Sequence, residues 1–147
     1  MNTLSFKTSI GWITLSEDNN FITSIKFGKK KNNGKNLVLM NLKKQILEFI
    51  KGKRKIFSVK LQIEGSALQK KIWKQLTKIG YGNTKTYGDI ARALRTSPRY
   101  VGNVCGQNNH LLVIPCHRVI RTDGTLGGFS GLGGIKLKQK LLKLEQA

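Results

Sequence analysis

The chain has 147 residues, enough for one compact domain or two very small ones, and 39% of them are hydrophobic, an ordinary share for a globular protein. Against 27 Lys and Arg stand 7 Asp and Glu, a net charge of +20 that favours a polyanionic partner, nucleic acid or anionic membrane, although lysine also serves plain solvation. No secretory signal is expected from the N-terminus, and no stretch approaches the roughly 18–20 apolar residues that a membrane span needs.

"TLSFKTSIGWITLSEDNNFITSIKF" reads as three short strands. Leu4 and Phe6 alternate with polar residues, Ile10 to Leu15 follow, and Phe21 to Phe27 come after the turn residues "SEDNN". Residues 27–36 form a basic, Gly/Asn-rich loop. Leu39, Leu42, Ile46, Phe49 and Ile50 then keep helical spacing up to Gly52, which stops the helix. Residues 53–66 are a connector with one more extended piece, "IFSVKLQIEG". The first domain, 1–62, is a small α/β unit without evident chemistry.

The second domain, 66–147, starts with a helical face of Leu68, Ile72, Leu76 and Ile79, closed by Gly80 and Gly82. Tyr87, Ile90, Ala91 and Leu94 predict a second helix. Ser97 as cap and Pro98 in the first turn predict a third, with Val101, Val104 and Cys105 as its buried stripe. Two short helices joined by a tight turn on a basic chain fit a helix-turn-helix, although helical hairpins are also common in cores. Arg99 lies off the apolar stripe and would face the partner. After "LLVIPCHRVI" come the Gly-rich loop "TDGTLGGFSGLGG" and a last helix in which Leu137, Leu141 and Leu144 line up.

Only two cysteines occur, and with no export signal they are expected to be reduced thiols in a cytosol. A free cysteine in an apolar run usually fills space. Cys116 differs in its company, with Pro115 before it and His117 and Arg118 after it. A thiol is only slightly ionised at neutral pH and needs a base within reach. Adjacent strand residues face opposite ways, so His117 would serve Cys116 only if the chain bends or a water bridges them. Glu145, three residues after Leu142 and four after Leu141, shares the apolar face of the last helix, where an acid needs a partner; the alternative is a frayed terminal glutamate. Cys105, His110, Cys116 and His117 lack metal-site spacing, so no zinc is expected.

"IPCHRV" at 114–119, "GGFSG" at 127–131 and Glu145 in a terminal helix resemble the methylated-DNA–protein-cysteine methyltransferases, the 6-O-alkylguanine-DNA alkyltransferases. The likeness runs over 67–147, through "ALQKKIWKQL", "KTYGDIARAL" and "SPRYVGNVCGQN". It implies an α/β (α+β) protein: a small ribonuclease-H-like N-terminal domain, then a winged helix-turn-helix-like domain that binds duplex DNA and flips an alkylated base out of the stack. Cys116 would take the alkyl group of 6-O-methylguanine, or of 4-O-methylthymine, once and irreversibly. His117 would pull the thiol proton through a water, Glu145 would hold His117, and Asn108 would pin the turn before the active site. Tyr87 would donate to a guanine ring nitrogen and crowd a phosphate, and Arg99 would fill the vacated gap. Ser130, flanked by Phe129 and Gly131, would contact the guanine oxygen, and the backbone at Val119 would accept from the exocyclic amine.

The chain departs from the usual family pattern at Asn109, Phe129, Leu132 and Cys105. On the residues alone, Tyr87 also fits plain core and Arg99 one more solvated charge. No cofactor, a monomer, a cytoplasmic location (nucleoid-associated in a prokaryote) and no membrane partner are the further expectations. The rivals are a non-catalytic damage-binding protein, which would carry tryptophan at the cysteine position, and a helix-turn-helix regulator with an incidental thiol. Basic residues number thirteen before Gly65 and fourteen after it, so the charge is no detachable tail. DNA affinity is therefore expected to fall steeply as salt rises in a titration, and retention at high salt would contradict phosphate-based binding.

Overall fold

The computed structural model describes residues 1–34, 36–127 and 134–146 of the chain. These are helices mixed with short strands, in two compact units. Met1–Ile63 together with Asn109–Leu111 form the first; Glu64–Asn108 with Leu112–Gln146 form the second.

In the first unit, β1 (Asn2–Thr8), β2 (Gly11–Asp18) and β3 (Phe21–Phe27) make an antiparallel meander in that order. Register sets Leu4 opposite Leu15, Phe6 opposite Ile13, and Leu15 opposite Ile25, so one face of the sheet is apolar and buried. The β2–β3 turn is tighter than "SEDNN" implies. Strand pairing continues to Asp18, and Asn19 and Asn20 alone turn the chain with φ of 51° and 68°. Asparagine tolerates that left-handed region, as a two-residue hairpin with primed turn geometry requires.

Helix α1 (Leu37–Ile50) is capped by Asn36, whose side chain accepts from Leu39 N at 3.0 Å. It buries Leu39, Leu42, Ile46 and Phe49, and Gly52, at φ 75°, takes the chain out of the helix. The extended connector bridges to β3: Ile22 N donates to Lys60 O and Gln62 N to Ile22 O, both at 2.8 Å. Residues 109–111 bridge to the same strand, through Ile25 N to Asn109 O at 2.8 Å and Leu111 N to Ile25 O at 3.1 Å.

The second unit is built from α2 (Ala67–Thr77), β4 (Lys85–Thr86), α3 (Tyr87–Leu94), α4 (Pro98–Gly106), β5 (Val119–Ile120) and α5 (Gly134–Gln146). Ser66 and Gln69 form a capping box on α2, and Thr86 and Asp89 form one on α3. The first helix stops short of Ile79, which is nonetheless buried beyond its end. Arg95, at φ 55°, ends α3, and Ser97 caps α4 with Pro98 in its first turn, the tight two-helix turn read from the sequence. Trp73 Nε1 donates to Val104 O at 3.2 Å and joins α2 to α4. The buried stripe of α5 is Leu137, Lys138, Leu141 and Glu145, not the expected line through Leu144, which is only half-buried. Among the described residues no helix is long and apolar enough to cross a membrane.

The connector depends on one buried amide. Gln45 Oε1 accepts from Ser58 N at 2.9 Å, and its Nε2 donates to Ser58 O at 3.0 Å and Asn41 Oδ1 at 2.6 Å. Gln45→Leu, which removes both bonds to Ser58, is expected to cost about 1–3 kcal/mol, read as a lower urea midpoint at unchanged slope.

Candidate active site

Proline sets the local path. With φ −82° and ψ 65°, Pro115 occupies an inverse γ-turn, and Cys116 N donates back across it to Ile114 O at 2.8 Å. Cys116–Arg118 then form one 3-10 turn, closed by Arg118 N to Pro115 O at 3.0 Å. At three residues per turn, successive side chains point about 120° apart. So the chain bends at Pro115, one of the two conditions under which His117 would serve Cys116, and three adjacent polar side chains diverge.

Cys116 is buried and lines a cavity of about 790 Å³ that also touches Tyr87, Arg99 and Cys105. Behind it, Asn108 Nδ2 donates to Ile114 O at 2.8 Å and closes the loop that leads into the turn. His117 and Arg118 meet Glu145 of α5. His117 Nε2 lies 2.6 Å from Glu145 Oε2, with both side chains fully buried. Arg118 Nε reaches the two carboxylate oxygens at 2.9 and 3.1 Å, and Nη2 reaches Oε2 at 2.9 Å. Gly82 N donates to Oε1 at 3.2 Å, and Arg118 Nη1 to Ile79 O at 2.7 Å, so the turn after α2 is fastened to the same cluster.

These contacts decide who holds protons. Burial alone would raise the Glu145 carboxyl, but hydrogen bonds from His117 and Arg118 outweigh it and hold the group at about 2. An ionised carboxylate only accepts, so His117 Nε2 carries a proton. Burial lowers His117, against the pull of Glu145, and favours the neutral ring. Its Nδ1 lone pair is then open, and Nδ1 is buried with no hydrogen bond among the described residues. Burial pushes the Cys116 thiol up to about 11, against the Asn108 hydrogen bond and the charge of Lys138. The arrangement holds a protonated thiol and, on the next residue, a neutral base whose far side is fixed.

Tyr87 opens α3 on the cavity wall, half-buried, and burial with the two neighbouring thiols raises its hydroxyl to about 12. Lys138, absent from the sequence reading, is fully buried beneath it. Lys138 Nζ donates to Tyr87 Oη at 3.3 Å and to Leu126 O, and stands 5.6 Å from the tyrosine ring centroid. Because the tyrosine oxygen accepts from the ammonium, its own proton is left for a ligand. Gly127, at φ 72°, leaves room for this group: a Cβ there would lie 3.0 Å from Tyr87 Oη.

Arg99 stands exposed at the start of α4 on the cavity rim. Val119 is buried in β5, and its N–H closes the 3-10 turn onto Cys116 O. Ser130, Phe129, Gly131 and Leu132 lie outside the described residues. His110, weighed as a metal ligand, belongs to the first unit, where its Nε2 pairs with Ile22 O at 3.1 Å. Among the described residues no three His, Cys, Asp or Glu side chains gather as a metal set would.

Residues 67–147 match the family described as 6-O-methylguanine DNA methyltransferase, DNA binding domain. A methylated-DNA–protein-cysteine methyltransferase of Sulfolobus acidocaldarius is 35% identical over 142 residues, covering 95% of this chain and 90% of the relative. One from Methanosarcina acetivorans is 36% identical over 95% of each chain. The Mycobacterium tuberculosis OGT crystal structure in complex with DNA superposes with a TM-score of 0.88 at 31% identity, over 98% of this chain and 92% of that one.

The buried carboxylate makes the fold acid-sensitive in a defined window. The folded form holds the Glu145 proton less tightly than the unfolded chain does. Its stabilisation, on the order of 3 kcal/mol, is therefore complete above about 4.5 and lost as pH falls toward about 2. Glu145→Gln leaves Arg118 buried without its counter-charge and is expected to cost about 3–5 kcal/mol at pH 7. Urea unfolding across pH should show the gap between the two proteins closing from pH 4.5 downward.

Proposed function

The chain belongs to the methylated-DNA–protein-cysteine methyltransferase family, and on that premise we propose that it repairs DNA by moving an alkyl group from a guanine oxygen onto its own Cys116. The observation that carries this reading is the turn that sets Cys116 in the cavity wall while its neighbour His117 is held on ionised Glu145.

An alkyl carbon on a stacked guanine offers no line of attack to a thiol, so the base must leave the duplex. The cavity of about 790 Å³ is large enough for a nucleobase, and Arg99 on its rim is placed to enter the gap left in the stack. His117 Nδ1 takes the thiol proton through a bridging water. The sulfur forms a bond to the alkyl carbon as the carbon–oxygen bond breaks, and those electrons pass into the guanine. Tyr87 gives its proton to a guanine ring nitrogen, with Lys138 at its oxygen to meet the charge left behind. Asn108 keeps the turn in place, and the backbone at Val119 accepts from the exocyclic amine. Ser130, flanked by Phe129 and Gly131, meets the guanine oxygen in this reading. The product is a thioether, which water does not cleave, so each molecule acts once. Methylated thymine oxygen is a second substrate by the same chemistry. The protein acts as a monomer in the cytoplasm.

Intact mass before and after mixing with a duplex carrying one 6-O-methylguanine tests the reading. One methyl on Cys116 is expected, absent in Cys116→Ala, with no further gain on a second addition of substrate. His117→Ala should slow the single-turnover rate by roughly 10²- to 10⁴-fold, the range of a lost general base. Tight binding without any mass change would leave a damage-recognition protein.

A further inference from the structure

Two exposed residues, Arg121 and Thr122, line the same cavity and take no part in the chemistry above. Their position follows from a small parallel ribbon. β4 pairs with β5 through Lys85 opposite Val119 and Thr86 opposite Ile120. The chain therefore leaves both strands at the same end, into Tyr87 on one side and Arg121 on the other.

The segment that carries Arg121 is well anchored. Arg121 N donates to Thr125 O at 2.8 Å, Gly124 N donates to Arg121 O at 2.9 Å, and Asp123 Oδ1 accepts from Thr125 N and Oγ1 at 2.9 and 2.7 Å. Asp123 is thus committed to Thr125, and among the described residues Arg121 forms no ion pair. Its charge still reaches inward, opposing proton binding at Tyr87 and Lys138. Thr122 Oγ1 lies 3.5 Å, and Arg92 Nη1 3.3 Å, from where a Cβ on Gly88 would stand. Arg92 Nη1 and Thr122 Oγ1 therefore meet at the edge where α3 begins, with Arg121 beside Thr122 in the chain; the nearby acids are Asp89, paired to Arg92 at 2.6 Å, and Asp123, held by Thr125.

A base drawn into the cavity leaves its sugar and flanking phosphates at the mouth, where this rim stands. We propose that Arg121, with Thr122 beside it, grips a phosphodiester flanking the extruded nucleotide, as a binding residue separate from the alkyl-transfer groups. The proposal rests on the base-extrusion reading above. A guanidinium fork matches two phosphate oxygens, and an exposed, unpaired one loses little solvation before it binds. Arg121 acts on the backbone and not on the base, so its contribution must vanish when the flanking phosphates lose their charge.

Single-turnover methyl transfer on two duplexes tests this, both carrying 6-O-methylguanine and one with uncharged methylphosphonates at the linkages flanking it. At sub-saturating protein, Arg121→Gln should slow transfer on the ordinary duplex roughly tenfold, and wild type should slow comparably on the neutral one. The variant should lose nothing more on the neutral duplex, Arg121→Lys should recover part of the rate, and the salt slope of binding should fall by about 1. Equal rates for variant and wild type on the ordinary duplex would overturn the proposal. So would an equal loss on both duplexes, which would mark a structural role. No transfer by wild type on either duplex would instead overturn the repair reading itself.

Discussion

One ionised carboxylate, sealed from water, fixes the imidazole that follows the thiol in the chain. Glu145 receives donors from His117, from Arg118 and from the Gly82 backbone, and so joins α5, the Pro-Cys-His-Arg turn and the turn after α2. Burying such an ion costs several kcal/mol unless its lone pairs are filled. A histidine alone would leave the proton's location open, since a buried His–Glu pair can hold it on either partner. Arg118 removes that choice: its guanidinium cannot give up its charge, so the carboxylate stays ionised and the imidazole stays neutral. Arg118 acts on the chemistry through its neighbour without facing the substrate cavity.

The thiol itself is not pre-ionised. At about 11 it lies well above neutral pH, unlike the lowered thiols at exposed helix N-termini. Under the proposed single use of the nucleophile this is a sensible resting state, because a buried, protonated sulfur resists stray oxidants and electrophiles. A less acidic thiol also yields a more nucleophilic thiolate when the proton leaves. In the proposed reaction the work of ionisation is deferred to the moment when a base fills the cavity and His117 Nδ1 takes the proton. Cys105, raised to about 12 on the same wall, has the burial but no base beside it among the described hydrogen bonds. A fixed imidazole on the next residue of the chain, which Cys105 lacks, separates the two cysteines.

Charge is divided between the inside and the rim. Within the wall, Lys138 is fully buried and spends its donors on Tyr87 and on the Leu126 carbonyl. At the mouth, Arg99 and Arg121 are exposed, and neither forms an ion pair among the described residues. In the proposed reaction, charge in the wall meets electrons released onto the base, and charge at the rim meets the backbone that delivers it. Gly127 allows the inner half: any side chain there would strike the tyrosine hydroxyl, and its left-handed φ already excludes most residues.

Much of this was legible in the sequence, for local reasons. The strands, α1, the capped helices and the bend at Pro115 rest on alternation, spacing, caps and proline geometry, each confined to a few neighbouring residues. The attachment of residues 109–111 to the first unit was not legible, because it depends on pairing with Ile25, far back in the chain. The last helix departs from its apolar pattern. Apolar residues alone give Leu137, Leu141 and Leu144, whereas the buried stripe keeps Leu137 and Leu141, omits Leu144 and adds Lys138 and Glu145. Glu145 had been placed on the inner face by its spacing from Leu141. The same rule, run backward, puts Lys138 seven residues before Glu145 and three before Leu141, two full turns up the same stripe. A charged residue on an inner face needs a partner whether it is an acid or a base. Applied to the lysine as well as to the glutamate, that demand brings a second polar group to the inner face of α5 from the sequence itself.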